Sequence, residues 1–189
     1  MATGFAVLTI AIPSLVPKDT NPVAIDWDHL LSPEELEIAL AKYDPKDVGI
    51  AQTTINGTDT ASVVARDPYG FCGDSSFNCE TSNTSPPVLD CFYMYNVLMS
   101  RQEEWDLYLF QNRLLAWVGS CCFSAENLAG GTAYIGGLDI ADLTRDSINR
   151  CRGQPNDLVG SWGEMPCPVR ATNGWDKVRL LQALYNLPY

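Results

Sequence analysis

Apolar and polar positions along this chain fall into blocks of changing period, and each block predicts an element. Ser32 is followed by Pro33, by Glu35 three residues on, and by Leu36, Leu40 and Tyr43 at near-helical spacing. Serine and glutamate so placed form a capping box, and proline suits the first helical position. The pattern predicts a short helix that Asp44-Pro45 stops. Leu89, Phe92, Tyr95, Leu98 and Met99 mark one helical face within Val88–Arg101. Trp105, Leu107 and Leu109 alternate with polar or exposed positions, as a half-buried strand does. The dense run Leu114–Phe123 predicts one central strand. Thr132–Ile135 predicts a short strand closed by Gly136-Gly137. Asp139 then caps a helix with Ile140, Leu143, Ile148 and Cys151 inside. Leu158–Met165 predicts a last strand, and Gly174–Tyr185 a tail helix with Trp175, Val178, Leu181 and Tyr185 on its apolar side. Two main helices and four or five short strands point to an α+β fold, a compact two-layer α/β sandwich with an antiparallel sheet.

The remaining stretches set the domain plan. Residues 13–31 read as an extended leader, and 51–66 as a linker or loose strand. Three parts follow: an N-terminal leader or pro-like extension with one short helix (1–66), a cysteine domain (67–168) and a helical tail (169–189). Phe5–Ile12 has the size of a signal-peptide core, and equally of a buried strand. Asn56-Gly57-Thr58 and Asn83-Thr84-Ser85 are acceptor sequons, making Asn56 and Asn83 glycosylation candidates.

Composition narrows the function classes. With 46% apolar residues among 189, the chain can bury a real core. Its net charge is −11, of which residues 72–167 carry −7 (twelve acids, five bases, no lysine). Such a surface repels phosphate backbones and anionic lipids, so nucleic acid is not an expected partner. No apolar run approaches the ~20 residues that span a bilayer, so stable membrane insertion is not expected either.

All seven cysteines, Cys72, Cys79, Cys91, Cys121, Cys122, Cys151 and Cys167, fall within the middle region. Zinc sites want short Cys-x-x-Cys or Cys/His spacings; here the near pairs are Cys72/Cys79 and the adjacent Cys121-Cys122, and the one histidine, His29, is remote. No metal or other cofactor is therefore expected, and disulfides of an oxidising compartment fit better. On a strand, Cys121 and Cys122 face opposite ways and need different partners. One can reach the helix near Cys91 and the other a loop near Cys79. Seven is odd, and Cys151, ending a helix on its apolar side, is the expected buried thiol. Nucleophilic catalysis needs a histidine within reach, which His29 does not offer. Glu103, Glu104, Asp106, Asp142, Asp146 and Glu164 are candidates for paired-carboxylate hydrolysis, but each has a simpler role as helix-terminal or solvated charge. No catalytic residue is assigned, and a non-enzyme is expected.

Several blocks in fixed order carry a resemblance: Cys72-Gly73-Asp74-Ser75-Ser76-Phe77, Ser85-Pro86-Pro87-Val88-Leu89-Asp90-Cys91, Gly119-Ser120-Cys121-Cys122-Phe123, Ile135-Gly136-Gly137-Leu138-Asp139-Ile140, and Val159-Gly160-Ser161-Trp162-Gly163-Glu164-Met165-Pro166-Cys167. Over about residues 70–168 the chain resembles the Hce2 domain of fungal Ecp2-type secreted effectors, also called necrosis-inducing factors. The resemblance implies secretion, action at a plant host, no catalytic residues, and a relationship to the KP4 killer-toxin fold. It also implies that Cys72, Cys91, Cys121 and Cys167 are the recurrent cysteines. The simplest arrangement then adds one bridge among Cys79, Cys122 and Cys151 and leaves one thiol.

The expected function is that of a secreted, non-enzymatic effector binding a host target through loops such as Glu80–Pro87, Gln102–Asp106 and Glu126–Gly131. Trp105, Trp162 and Trp175 are weighed as partner anchors or core. An antimicrobial or killer toxin-like protein is the alternative, and an extracellular carbohydrate-active hydrolase a third. The molecular target and the oligomeric state are not legible.

Overall fold

The Ser32 hydroxyl accepts the Glu35 amide at 3.2 Å and the Glu35 carboxylate accepts the Ser32 amide at 2.9 Å, so α1 (Pro33–Leu40) begins at its capping box. This computed structural model describes residues 24–51, 70–101, 103–128, 130–153, 156–169 and 174–182. The Phe5–Ile12 run, nearly all of the 51–66 stretch and Asn56 lie outside them. After a 3-10 turn at Pro45–Asp47 come β1 (Val48–Ile50), β2 (Asn78–Cys79), α2 (Val88–Met99), β3 (Glu104–Leu107), β4 (Asn112–Val118), β5 (Cys121–Asn127), β6 (Ala133–Gly136), α3 (Gly137–Cys151), β7 (Ser161–Val169) and β8 (Gly174–Gln182). The strands form an antiparallel sheet in the order β1-β4-β5-β8-β7-β6-β3, with β2 on β7.

One layer is this sheet; the other is α2 and α3, which pack on each other while α2 covers β4 and β5. Along α3, Ile140, Leu143, Thr144, Ser147, Ile148 and Cys151 are buried, a stripe at helical spacing. Along β7, Ser161, Gly163, Met165, Cys167 and Val169 are buried and the residues between are half-buried, so one face of the strand looks into the core. The α+β sandwich with an antiparallel sheet is thus the observed fold, with α1 added outside the two main helices.

Several expectations need correction. The run Leu114–Phe123 is a hairpin rather than one strand. β4 and β5 pair directly and turn at Gly119-Ser120, where Gly119 has φ +58° and an added Cβ would lie 2.5 Å from an Asp90 carboxylate oxygen. Only glycine enters that conformation freely. Asp139 is not the cap of α3 but its third residue. Its carboxylate accepts the amides of Gly136 at 2.9 Å and of Phe71 and Cys72 at 3.0 Å. Burial pushes its pKa up, and these three donors oppose that. The tail helix is a strand: β8 pairs with β7 along all nine residues and with β5 through Val178–Leu181. The spacing of Trp175, Val178 and Leu181 suits a helix in isolation. The facing edges of β5 and β7 instead offer two ladders of hydrogen bonds, and tertiary pairing overrides local preference.

Cysteines join Cys72 to Cys167, Cys79 to Cys151 and Cys91 to Cys121. Cys151 is therefore not the thiol. At the end of α3 it faces β2, with its Cα 5.0 Å from that of Cys79, within bridging range. Cys122 stays a buried thiol. The bridges close loops of 95, 72 and 30 residues, each contributing about 3.5–5 kcal/mol in the chain-entropy model.

Two outcomes follow from this architecture. Thiol titration should find no reactive group in the native chain and one after denaturation without reductant; two or more would break the bridge assignment. Truncation after residue 170 removes the strand between β5 and β7, and should leave a chain without a cooperative urea transition.

Candidate functional site

The ordered motif blocks turn out to hold the scaffold together. The 72–76 segment runs beside β7, with the Gly73 amide donating to the Pro166 carbonyl at 2.8 Å and the Ser76 amide to that of Glu164 at 2.9 Å. A Cβ on Gly163 would sit 1.8 Å from the Ser76 carbonyl oxygen, so glycine there allows the two motif blocks to lie together. The Cys72–Cys167 bridge ties the same pair.

The surface feature that scaffold displays is the turn between β3 and β4. Tyr108, Leu109 and Phe110 are 53%, 48% and 73% exposed, three bulky apolar side chains in a row. Trp105, Leu107 and Leu109 suggested a strand running on through this point. The strand instead ends at Leu107, and the chain reverses without glycine or proline. Phe110 takes the reversal with φ +57°, a left-handed conformation that costs an ordinary residue roughly 1–2 kcal/mol.

The strain is held by a closed set of hydrogen bonds. The Phe110 amide donates to the Asn127 carbonyl at 3.0 Å, and the Gln111 amide to that of Tyr108 at 2.9 Å. The Gln111 side-chain oxygen accepts the Tyr108 amide at 3.0 Å, and the Gln111 carbonyl accepts the Asn127 amide at 3.0 Å. Asn127 is fully buried, and its Nδ2 donates to Leu107 at 2.6 Å and Gly131 at 2.7 Å. One buried amide therefore joins the β3–β4 turn to the β5–β6 connection, within the expected Glu126–Gly131 loop. A turn so fastened presents its side chains already ordered, which lowers the entropy cost of binding. Its chemistry is burial of an aromatic and aliphatic surface, with the Tyr108 hydroxyl as a polar handle.

The other expected site residues are dispersed. Asp142 pairs with Arg145 at 2.9 Å, and Asp146 with Arg150 at 3.2 Å, on the outer face of α3. Glu103 and Glu104 lie at the entry to β3, Asp106 is buried within it, and Glu164 is on β7. Trp105 is core, its Nε1 donating to the Ala51 carbonyl at 2.9 Å. Trp162 is half-buried and donates to Glu80 at 2.9 Å. Trp175 lies in β8, and its side chain is outside the described residues. Asn83 stands exposed in a turn of the Glu80–Pro87 loop. Among the described residues, no cluster of histidine, cysteine and carboxylate has the make-up of a metal site, and no helix is long and apolar enough to cross a membrane.

Comparison with known proteins adds two findings. A curated protein named "Probable chitinase LysM18", from Penicillium expansum, is 27% identical over 99 residues, which are 51% of this chain and 7% of that protein. The chain thus spans only a small part of its relative's length. The family model described as "Pathogen effector; putative necrosis-inducing factor" matches residues 71–167, just over half of the chain, from the start of the motif-bearing segment to the last bridged cysteine. The chain belongs to the Hce2 family of pathogen effectors.

Proposed function

We propose that this protein is a secreted fungal effector that acts without catalysis, by seating the Tyr108–Leu109–Phe110 turn in an apolar pocket of a host protein. The observation that carries the reading is the exposed Phe110 in a left-handed backbone, secured through Asn127. Strain kept at an exposed aromatic residue is a hallmark of sites selected for contact rather than for stability. Aromatic anchors on a rigid base are what interface hot spots use. Membership of an effector family and three disulfides support the extracellular setting. An acidic surface favours a neutral or basic partner face.

A second reading draws on the chitinase-named relative. Exposed tyrosine and phenylalanine also stack on sugar rings, so the same turn would bind wall polysaccharide. Retention of the protein on insoluble chitin, lost when Tyr108 and Phe110 become alanine, would favour that reading over the host-protein one.

Infiltration of purified protein into host leaf is the direct test. The wild-type protein should elicit cell death or altered defence output. The triple variant Tyr108→Ala, Leu109→Ala, Phe110→Ala should not, while keeping the native circular dichroism spectrum. Equal responses to both would remove the turn from the mechanism. The strain gives a separate signature: Phe110→Gly should raise stability to urea by about 0.5–1 kcal/mol, since glycine enters φ > 0 without penalty, yet lower the leaf response. A variant both less stable and equally active would contradict the reading.

A further inference from the structure

The described N-terminal segment, residues 24–51, lies outside the family match and carries no cysteine, so no bridge ties it to the stapled core. It nonetheless covers a continuous surface of that core. Trp27 packs edge-on against Phe92 and Tyr95 of α2, with ring centroids 5.8 and 5.1 Å away, and donates to Asn149 at 3.0 Å. The Leu31 amide donates to the buried Asn96 side chain at 2.9 Å. Tyr43 enters a polar niche on the family domain: its hydroxyl donates to Asp90 at 2.5 Å, and the other Asp90 oxygen accepts both the amide and the hydroxyl of Ser120 at 3.0 Å. Burial and Asp90 push the Tyr43 pKa up, so the phenol stays protonated and remains a donor.

Beyond the niche the segment becomes a strand. β1 pairs with the outer edge of β4, Val48 opposite Val118 and Ile50 opposite Ala116. Gly49 lies under the Trp117 indole, where an added Cβ would fall 2.1 Å from a ring atom, and the Trp117 Nε1 donates to the Lys46 carbonyl at 2.9 Å. The Gly119 amide donates to the Asp47 carbonyl at 2.7 Å, and the Ala51 amide to that of Leu115 at 2.8 Å. The core surface thus offers donors and acceptors matched to an extended peptide, and a bare β4 edge would leave them wanting partners.

The fit is tight at its two ends and open between them. A solvent-open groove of about 980 Å³ runs along the middle of the segment, lined by Leu30, Leu36, Leu40, Tyr43 and Val48 and, from α2, by Met99. Leu36 is the segment's one buried apolar residue among the described residues, and it joins the main core cluster. Ile25, Trp27, Leu31, Leu40, Tyr43, Val48 and Ile50 are only partly buried where they pack on the core, so most of the contact is made at the surface of the domain.

We propose that residues 24–51 are a displaceable internal ligand. The surface beneath them, the β4 edge together with the Asp90–Ser120 niche, would then be a docking site for an extended peptide of a partner protein that carries a tyrosine five residues ahead of a short strand. The recognition mode is strand addition to an open edge, with a phenol pocket supplying selectivity. It goes beyond the turn-mediated reading above and uses the opposite end of β4.

The test replaces residues 56–61 with a recognition sequence for a specific protease and cleaves the folded, oxidised full chain there. A fluorescently labelled peptide of residues 24–51 is then added, and binding is read by anisotropy. The nicked protein should take up the peptide saturably and the uncleaved protein should not. The core should keep its near-ultraviolet dichroism after the cleaved segment is washed away. Peptides with Tyr43→Phe should bind about tenfold more weakly, as loss of a hydrogen bond to a carboxylate predicts, and Gly49→Ala peptides at least as weakly. Absence of exchange short of global unfolding, or a core that unfolds when the segment leaves, would overturn the proposal. So would equal affinity of all three peptides.

Discussion

Three cross-links govern this molecule, because each ties a different layer or segment to the sheet. Cys91–Cys121 fastens α2 to β5, Cys79–Cys151 fastens the end of α3 to β2, and Cys72–Cys167 fastens the first motif block to β7. A chain with net charge −11 repels itself when compact. Restricting the unfolded ensemble offsets that repulsion without enlarging the core. Asp139 works alongside, gathering the amides of Phe71, Cys72 and Gly136 so that the start of the stapled region is pinned to the start of α3.

A scaffold with this reserve can hold local strain. The left-handed Phe110 is affordable because Asn127 and Gln111 satisfy the turn's backbone groups at short distances. The motif blocks and the exposed turn therefore lie in separate parts of the chain. Glycines and cysteines of the motif blocks build close backbone approach and cross-links, whereas the exposed apolar turn sits between blocks, where the motifs are silent. Motif recognition assigns the family and passes over the apolar turn for that reason.

The N-terminal segment illustrates a different economy. Its attachments are hydrogen bonds, aromatic edges, apolar packing around Leu36 and one strand pairing, all of them noncovalent, while the region it covers is covalently closed.

Much of the local structure was legible in the residues. Ser32 and Glu35 announced α1, the apolar faces announced α2 and α3, and the cysteine cluster announced a stapled domain, because caps, helical faces and thiol chemistry depend on neighbours a few positions apart. Gly119-Ser120 between two apolar runs carried a hairpin signal that the density of the run obscured. The tail was beyond such reading: Gly174–Gln182 is a strand only because β5 and β7 leave a gap of its width between them. Cysteine pairing, too, was settled by three-dimensional approach, which put Cys151 beside Cys79 and left Cys122 as the thiol. Sequence by itself determined α1, α2 and α3, the acidic character, the oxidised core and the family. Tertiary structure alone decided β8, the partners of each sulfur and the display of Phe110, since these depend on contacts between residues far apart in the chain.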